Sequence, residues 1–209
     1  MEALELRPLP AQRFDYKALG SFRVDRKARV SVRGAFYSVP ARYSGRRLDA
    51  RIGAESVEVL DGPRVLAHHP RSQKGQENLV LDHYLEVLAI KPGALPGATA
   101  LSRARAGGAF SEVHERFWAE ARRRLGDRDG TRALIEVLLL HRTMAARAVI
   151  AGMEAALATG SLSPAVVAIE GRRSGEANQV AVPIGQGLAR FDRPKPTTAH
   201  YDQLLEGSR

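Results

Sequence analysis

The run from Arg33 to Leu48 sets guanidinium groups between aromatic and turn residues: Arg33-Gly34-Ala35-Phe36-Tyr37-Ser38-Val39-Pro40-Ala41-Arg42-Tyr43-Ser44-Gly45-Arg46-Arg47-Leu48. Arginine forks pair with phosphate oxygens bidentately, and a small sheet fixes several forks relative to one another, so this pattern suits phosphate binding rather than catalysis. With its neighbours it nominates Arg29, Arg33, Arg42, Arg46, Arg47 and Arg51 as phosphate ligands on strand faces or turn rims. Tyr37 and Tyr43 are nominated to lie against sugar or base. The competing reading is that these charges merely keep exposed strand edges from pairing with another chain.

Other reactive residue types do not assemble into a catalytic pattern. There is no glycine-rich phosphate loop, no His-Glu-x-x-His helix and no Gly-x-Ser-x-Gly elbow. His68 and His69 with His83 would make a poor metal set, because adjacent side chains on a strand point to opposite faces. His83 and Tyr84 are expected on a helix surface and in the core, respectively. Asp82 and Glu115 invite comparison with two-metal phosphoryl-transfer sites, whose carboxylates converge on ions about 4 Å apart. Both acids read better as residues of a helix start, where they oppose the dipole.

These residues need elements to hold them. Ala28, Val30 and Val32 alternate with Arg29, Ser31 and Arg33, and Leu48, Ala50 and Ile52 alternate with Arg47, Asp49 and Arg51. Period two over short runs, punctuated by Gly34, Gly45, Gly53 and Asp61-Gly62-Pro63, predicts five strands between Ser21 and Gly75. Five short strands suit a small bent barrel of the SH3 size. This stretch holds twelve basic and five acidic residues, an excess of seven out of a net charge of +9. Such concentration exceeds what edge protection needs and favours an acidic partner.

Beyond Gly75 the period lengthens to that of a helix. Tyr84, Leu85 and Leu88 form a short helix face ended by Lys91-Pro92-Gly93, and a second short helix ends at Gly107-Gly108. Ser111 can cap a longer helix, with Arg122–Arg124 in its last turn and Gly126 closing it in the left-handed conformation. Asp129 can start a helix apolar around nearly its whole circumference, from Leu134 to Leu140, which predicts a central position. Further helices are expected up to Gly160 and from Ser163-Pro164. After Arg173 the composition turns to that of a flexible arm, with a brief amphipathic patch at Tyr201, Leu204 and Leu205.

The expected order is an extended lead-in over 1–20, a basic barrel over 21–75, a helical subdomain over 76–173, and a tail over 174–209 with a docking patch at 200–205. The class is α+β. With 209 residues and no cysteine, the chain needs no disulfide, and its 44% hydrophobic content is spread without a membrane-length run. No membrane partner and a cytoplasmic location are expected.

Several blocks carry a family resemblance. Arg23-Val24-Asp25-Arg26 and Val32–Ala41 resemble the β-barrel that follows the catalytic domain in IstA-type transposases of the insertion sequence twenty-one family. Asp82–Leu85, Lys91–Leu95, Gly130–Leu139 and Tyr201–Leu205 are similar to that family's C-terminal region in order and spacing. The resemblance implies a DDE-type transposase working with an IstB-type AAA+ ATPase and other transposase subunits. It also implies a metal-binding catalytic domain and a helix-turn-helix region ahead of the barrel. Because Met1 stands just before the barrel pattern, both are expected to be missing from this chain, so that no enzymatic activity, cofactor or divalent metal belongs to it.

The expected function is therefore that of a non-catalytic C-terminal fragment, holding element-end or target DNA and supporting assembly of a transposition complex. Alternatives are a protein-interaction module that docks on the catalytic subunit or the ATPase through the tail patch, or an inactive truncated remnant.

Overall fold

The computed structural model describes residues 17–177. Seven strands come first: β1 (Ala18–Arg23), β2 (Arg29–Val32), β3 (Ala35–Ser38), β4 (Arg47–Ile52), β5 (Ser56–Asp61), β6 (Arg64–Pro70) and β7 (Glu77–Asn78). They form a four-stranded sheet, in the order β1-β4-β5-β6, and a three-stranded one, in the order β2-β3-β7. The α+β class and the small barrel-like module followed by helices stand as expected. The strand count is higher than five for two reasons. Gly20 and Ser21 interrupt the alternation that would have revealed β1, and β7 is a two-residue parallel pairing with β3.

Alternation decides what each strand buries. Val30, Val32, Leu48, Ala50, Val57 and Val59 all turn inward and are nearly inaccessible, while Arg47 and Asp49 point out. Each of these Val and Leu side chains contributes about 1.5–3 kcal/mol on burial, so a one-residue slip of any strand would forfeit most of the module's core. Val32 pairs with Ala35, which leaves a two-residue turn. Arg33 at φ 50° and Gly34 at φ 79° both adopt the left-handed conformation that a type I′ hairpin requires.

The helical part holds a second core. It comprises α1 (Leu85–Ile90), α2 (Thr99–Ala106), α3 (Glu112–Leu139), α4 (Ala146–Ala158) and α5 (Pro164–Ala177). α3 breaks at Gly126, at φ 81° and ψ 165°, where the sequence places a helix end. Its second half buries Leu134, Ile135, Val137 and Leu138 at the centre of this core. Across the break Trp118 Nε1 donates to Thr131 Oγ1 at 2.9 Å. Among the described residues no helix is long and apolar enough to cross a membrane.

A polar seam joins barrel to helices. Val80 N–H donates to Ser38 Oγ at 2.9 Å, Ser38 Oγ contacts His83 Nδ1 at 2.8 Å, and His69 Nε2 donates to the Ser38 carbonyl at 2.7 Å. His83 leaves its expected surface place and is buried, while Tyr84 is partly buried against the helical core and donates its hydroxyl to the Lys27 carbonyl at 3.1 Å. The cause is the tight 3₁₀ turn Leu81–Tyr84, which rotates both side chains relative to an α-helical start.

Candidate nucleic-acid interface

The loop from Arg23 to Ala28 is shaped by one carboxylate. Asp25 accepts from the backbone N–H groups of Lys27 at 2.8 Å and Arg29 at 2.9 Å, and from Arg29 Nε at 2.9 Å and Nη2 at 2.7 Å. Burial works to raise its pKa, but the Arg29 fork and the backbone donors outweigh burial and hold the carboxyl below its ordinary value. An anchored turn of this kind aims the intervening Arg26 and Lys27 side chains outward, and both are exposed.

A second loop lies against the first. Gly45 N–H donates to the Val24 carbonyl at 3.1 Å, Val24 N–H donates to the Arg46 carbonyl at 2.8 Å, and Ser44 Oγ donates to the Asp25 carbonyl at 3.0 Å. In the β1–β4 register Arg23 pairs with Arg47. Arg23, Arg26, Lys27, Arg46 and Arg47 thus sit on adjoining backbone at one end of the barrel, all exposed. Among the described residues none of the five takes part in an ion pair. Five unneutralised cations on two mutually bonded loops make a preorganised anion surface.

The eight residues nominated from the sequence divide between this end and other fates. Arg46 and Arg47 belong to the patch. Arg42 stands beside it, exposed, with Nη1 3.2 Å from Glu86 Oε1 and its guanidinium 5.1 Å from the Tyr43 ring centre. Arg33 lies at the opposite end of the barrel, on the hairpin tip, and Arg51 faces outward on the sheet, 3.8 Å from Glu58. Three nominations need correction. Arg29 is spent on Asp25 and Glu77 and lies over the Phe36 ring at 4.5 Å, which leaves its fork closed to phosphate. Tyr37 is only 1% exposed, a core side chain whose hydroxyl accepts from Ser72 N–H at 2.9 Å. Tyr43, 7% exposed, is covered by its barrel neighbours and offers no face to a base. The nominated docking residues Tyr201, Leu204 and Leu205 lie outside the described residues.

Arg26 and Lys27 escaped nomination because they belong to a loop rather than an alternating strand, and Arg23 because it ends β1, whose alternation Gly20 and Ser21 interrupt. The available signal was Asp25 itself, spaced two residues before Lys27 and four before Arg29, the spacing of an aspartate that closes a turn. The paired acids have partners of their own: Arg142 Nε meets Asp82 at 2.7 Å, and Arg105 Nη2 meets Glu115 at 3.0 Å. Among the described residues no three His, Asp or Glu side chains assemble as a metal cage.

A second histidine pair sits within the helical part. Ser111 N–H donates to His114 Nδ1 at 3.1 Å, which places the His114 proton on Nε2, 3.3 Å from His141 Nε2. Burial first, then the neighbouring His141, push His114 down to about 4. Burial also pushes His83 down to about 4, with His69 adding to the effect. These rings stay neutral and add nothing to the cationic surface near neutral pH.

Comparison with known proteins bears on this arrangement. Residues 9–82 match the family model described as Mu transposase, C-terminal domain, a span that includes both loops of the cationic end. Transposases for insertion sequences IS1326/IS1353 from Pseudomonas aeruginosa and Shigella flexneri are each 31% identical over 207 residues, covering 96% of this chain and 39% of the relative. A transposase of insertion sequence IS408 from Burkholderia multivorans, described as putative, is 37% identical over 79 residues, covering 37% of this chain and 15% of the relative. The chain therefore spans about two-fifths of the length of the curated relatives it matches along most of its length. No solved structure matches. Together the matched span and the near-complete coverage of this chain support a C-terminal transposase region.

Proposed function

We propose that this chain is the non-catalytic, DNA-holding C-terminal portion of an insertion-sequence transposase of the IstA type. The observation that carries the reading is the cationic end of the barrel, where Arg23, Arg26, Lys27, Arg46 and Arg47 are exposed and unneutralised on loops locked to each other. Phosphate contact there positions duplex DNA without reading its sequence. The strands from Ala18 to Asn78, slightly wider than the expected 21–75, form the DNA-holding module, and the helices from Leu85 to Ala177 form the platform that carries it. Strand cutting, with its metal, belongs to another portion of the transposase. Other transposase subunits and an IstB-type ATPase are the partners in assembly.

Fluorescence anisotropy with a labelled duplex tests this reading. Five cations, each neutralising a phosphate, give a slope of log affinity against log salt of about −4.5. Replacing two of them, in R46E/R47E, lowers that slope by about 1.8 and weakens binding at every sequence alike. Binding that ignores salt, or no binding at low salt, rejects the proposal.

A further inference from the structure

The opposite end of the barrel carries a separate concave surface. The β2–β3 tip, the β4–β5 connection and the segment after β6 surround a cavity of about 640 Å³ whose polar wall includes Arg33, Arg71, Gln73, Lys74 and Glu55. Arg33, Arg71 and Lys74 are exposed, and among the described residues none makes an ion pair, which leaves three cations against the single carboxylate of Glu55.

Their backbone is held as firmly as that of the first patch. Arg71 N–H donates to the Glu55 carbonyl at 2.7 Å and its Nη1 to the Gly53 carbonyl at 2.9 Å. Gln73 N–H donates to Gln76 Oε1 at 3.0 Å, and Gly75 N–H donates to the Gly34 carbonyl at 2.8 Å. Val32, Ile52, Ala54 and Val57 supply an apolar part of the floor beside Tyr37 and Ser72, and low-dielectric wall of this kind strengthens the field of the cations above it.

The two ends are not one surface. β4 runs six residues, from Arg47 at the first end to Ile52 at the second, which separates them by about 17 Å. Between them the outward positions of β4 are Asp49, an acid, and Arg51, which faces Glu58. Among the described residues Asp49 thus interrupts the cations along β4, and the loops that carry the two ends lie at opposite ends of the strands.

We propose that the barrel holds two DNA duplexes at once, one phosphate backbone at each end, and so bridges them within a single chain. This rests on the DNA-binding reading of the first end and extends it to a second duplex.

Titrating the full chain with a labelled 20-base-pair duplex at low salt, and reading composition by light scattering on eluted complexes, gives the count directly. Wild type binds two duplexes per chain, R33E/K74E and R46E/R47E bind one each, and the four-residue combination binds none. In parallel, a bead-bound duplex retains a second, fluorescent duplex through wild type, and retention falls at least tenfold with either double variant. Mixing the two double variants does not restore it.

If R33E/K74E fails to fold, R33N/K74Q takes its place, because asparagine accepts the left-handed turn position. One duplex per chain in wild type overturns the proposal while leaving the DNA-binding reading intact. So does undiminished bridging by R33E/K74E or restored bridging in the mixture, each of which means that pairs of chains do the bridging. No duplex binding at all overturns both.

Discussion

Arg29 occupies an outward position on β2, and by alternation alone it is as good a phosphate ligand as any neighbour. Its fork is instead closed by Asp25, four residues earlier, and by Glu77, on a strand that follows 48 positions later. Period two reports which face a side chain takes. It does not report whether a carboxylate from a distant segment waits on that face, and so the identity of the free cations was only partly legible in the sequence. The distinction is measurable with Arg29→Met. Losing the fork costs about 1–2 kcal/mol in a urea melt, a modest figure because both acids are partly exposed and retain water. The salt slope of DNA binding should stay the same, since no phosphate contact is removed. A slope shallower by about 0.9 would return Arg29 to the interface. Tyr37 makes the same point from the core side, because an aromatic next to arginines reads equally well as a base-stacking residue or as a barrel centre, and burial decides.

At the scale of elements, end signals proved more legible than packing. Ser111, Gly126, Gly160 and Pro164 mark helix boundaries through local backbone chemistry, and α3, α4 and α5 start or stop at or next to them. β1 and β7 were not legible, since an edge strand containing Gly20 carries little alternation and a two-residue parallel pairing has no local signature. The corner in α3 shows the contrast within one element. Gly126 takes φ 81° and ψ 165°, a backbone conformation open essentially to glycine alone, with open space around it, so Gly126→Ala costs the strain of that conformation, about 1–3 kcal/mol. Gly130 has no such conformational signal. A Cβ there would lie 2.4 Å from the Ala121 carbonyl carbon, which is backbone and cannot swing aside. Gly130→Ala must therefore part the two halves of α3 and strain the Trp118–Thr131 hydrogen bond, at a cost of about 2–3 kcal/mol. Urea midpoints of the two variants compared with wild type test the argument, and a Gly130→Ala midpoint equal to that of wild type would show that the corner is looser than described.

For the molecule as a whole, two buried histidine clusters hold the parts together and set its response to acid. One lies at the seam, where His69 and His83 meet through Ser38, and the other ties the start of α3 to His141, beyond its end. Burial pushes all four rings below the ordinary histidine value, His83 and His114 down to about 4. Between about pH 6.5 and pH 4 the unfolded chain therefore binds protons that the folded chain refuses, and stability must fall as pH falls. The full contribution is present above pH 6.5. It declines through the window and levels off near pH 4, where the folded rings also take protons. At pH 5 each of the two most shifted rings costs about 2 kcal/mol relative to neutral pH, with smaller shares from His69 and His141. Carboxylates cannot mimic this profile in its upper half, because the described acids with shifted values, Asp25 and Glu120, are shifted downward. Urea melts at half-unit steps from pH 7.5 to 4.5 should show the midpoint dropping already between pH 6.5 and 5.5. In H83N/H114N the profile should be markedly flatter, on top of a lower starting stability. A wild-type midpoint constant down to pH 5 would mean that these rings accept protons in place, and that neither the seam nor the α3 contact is as dry as its geometry requires.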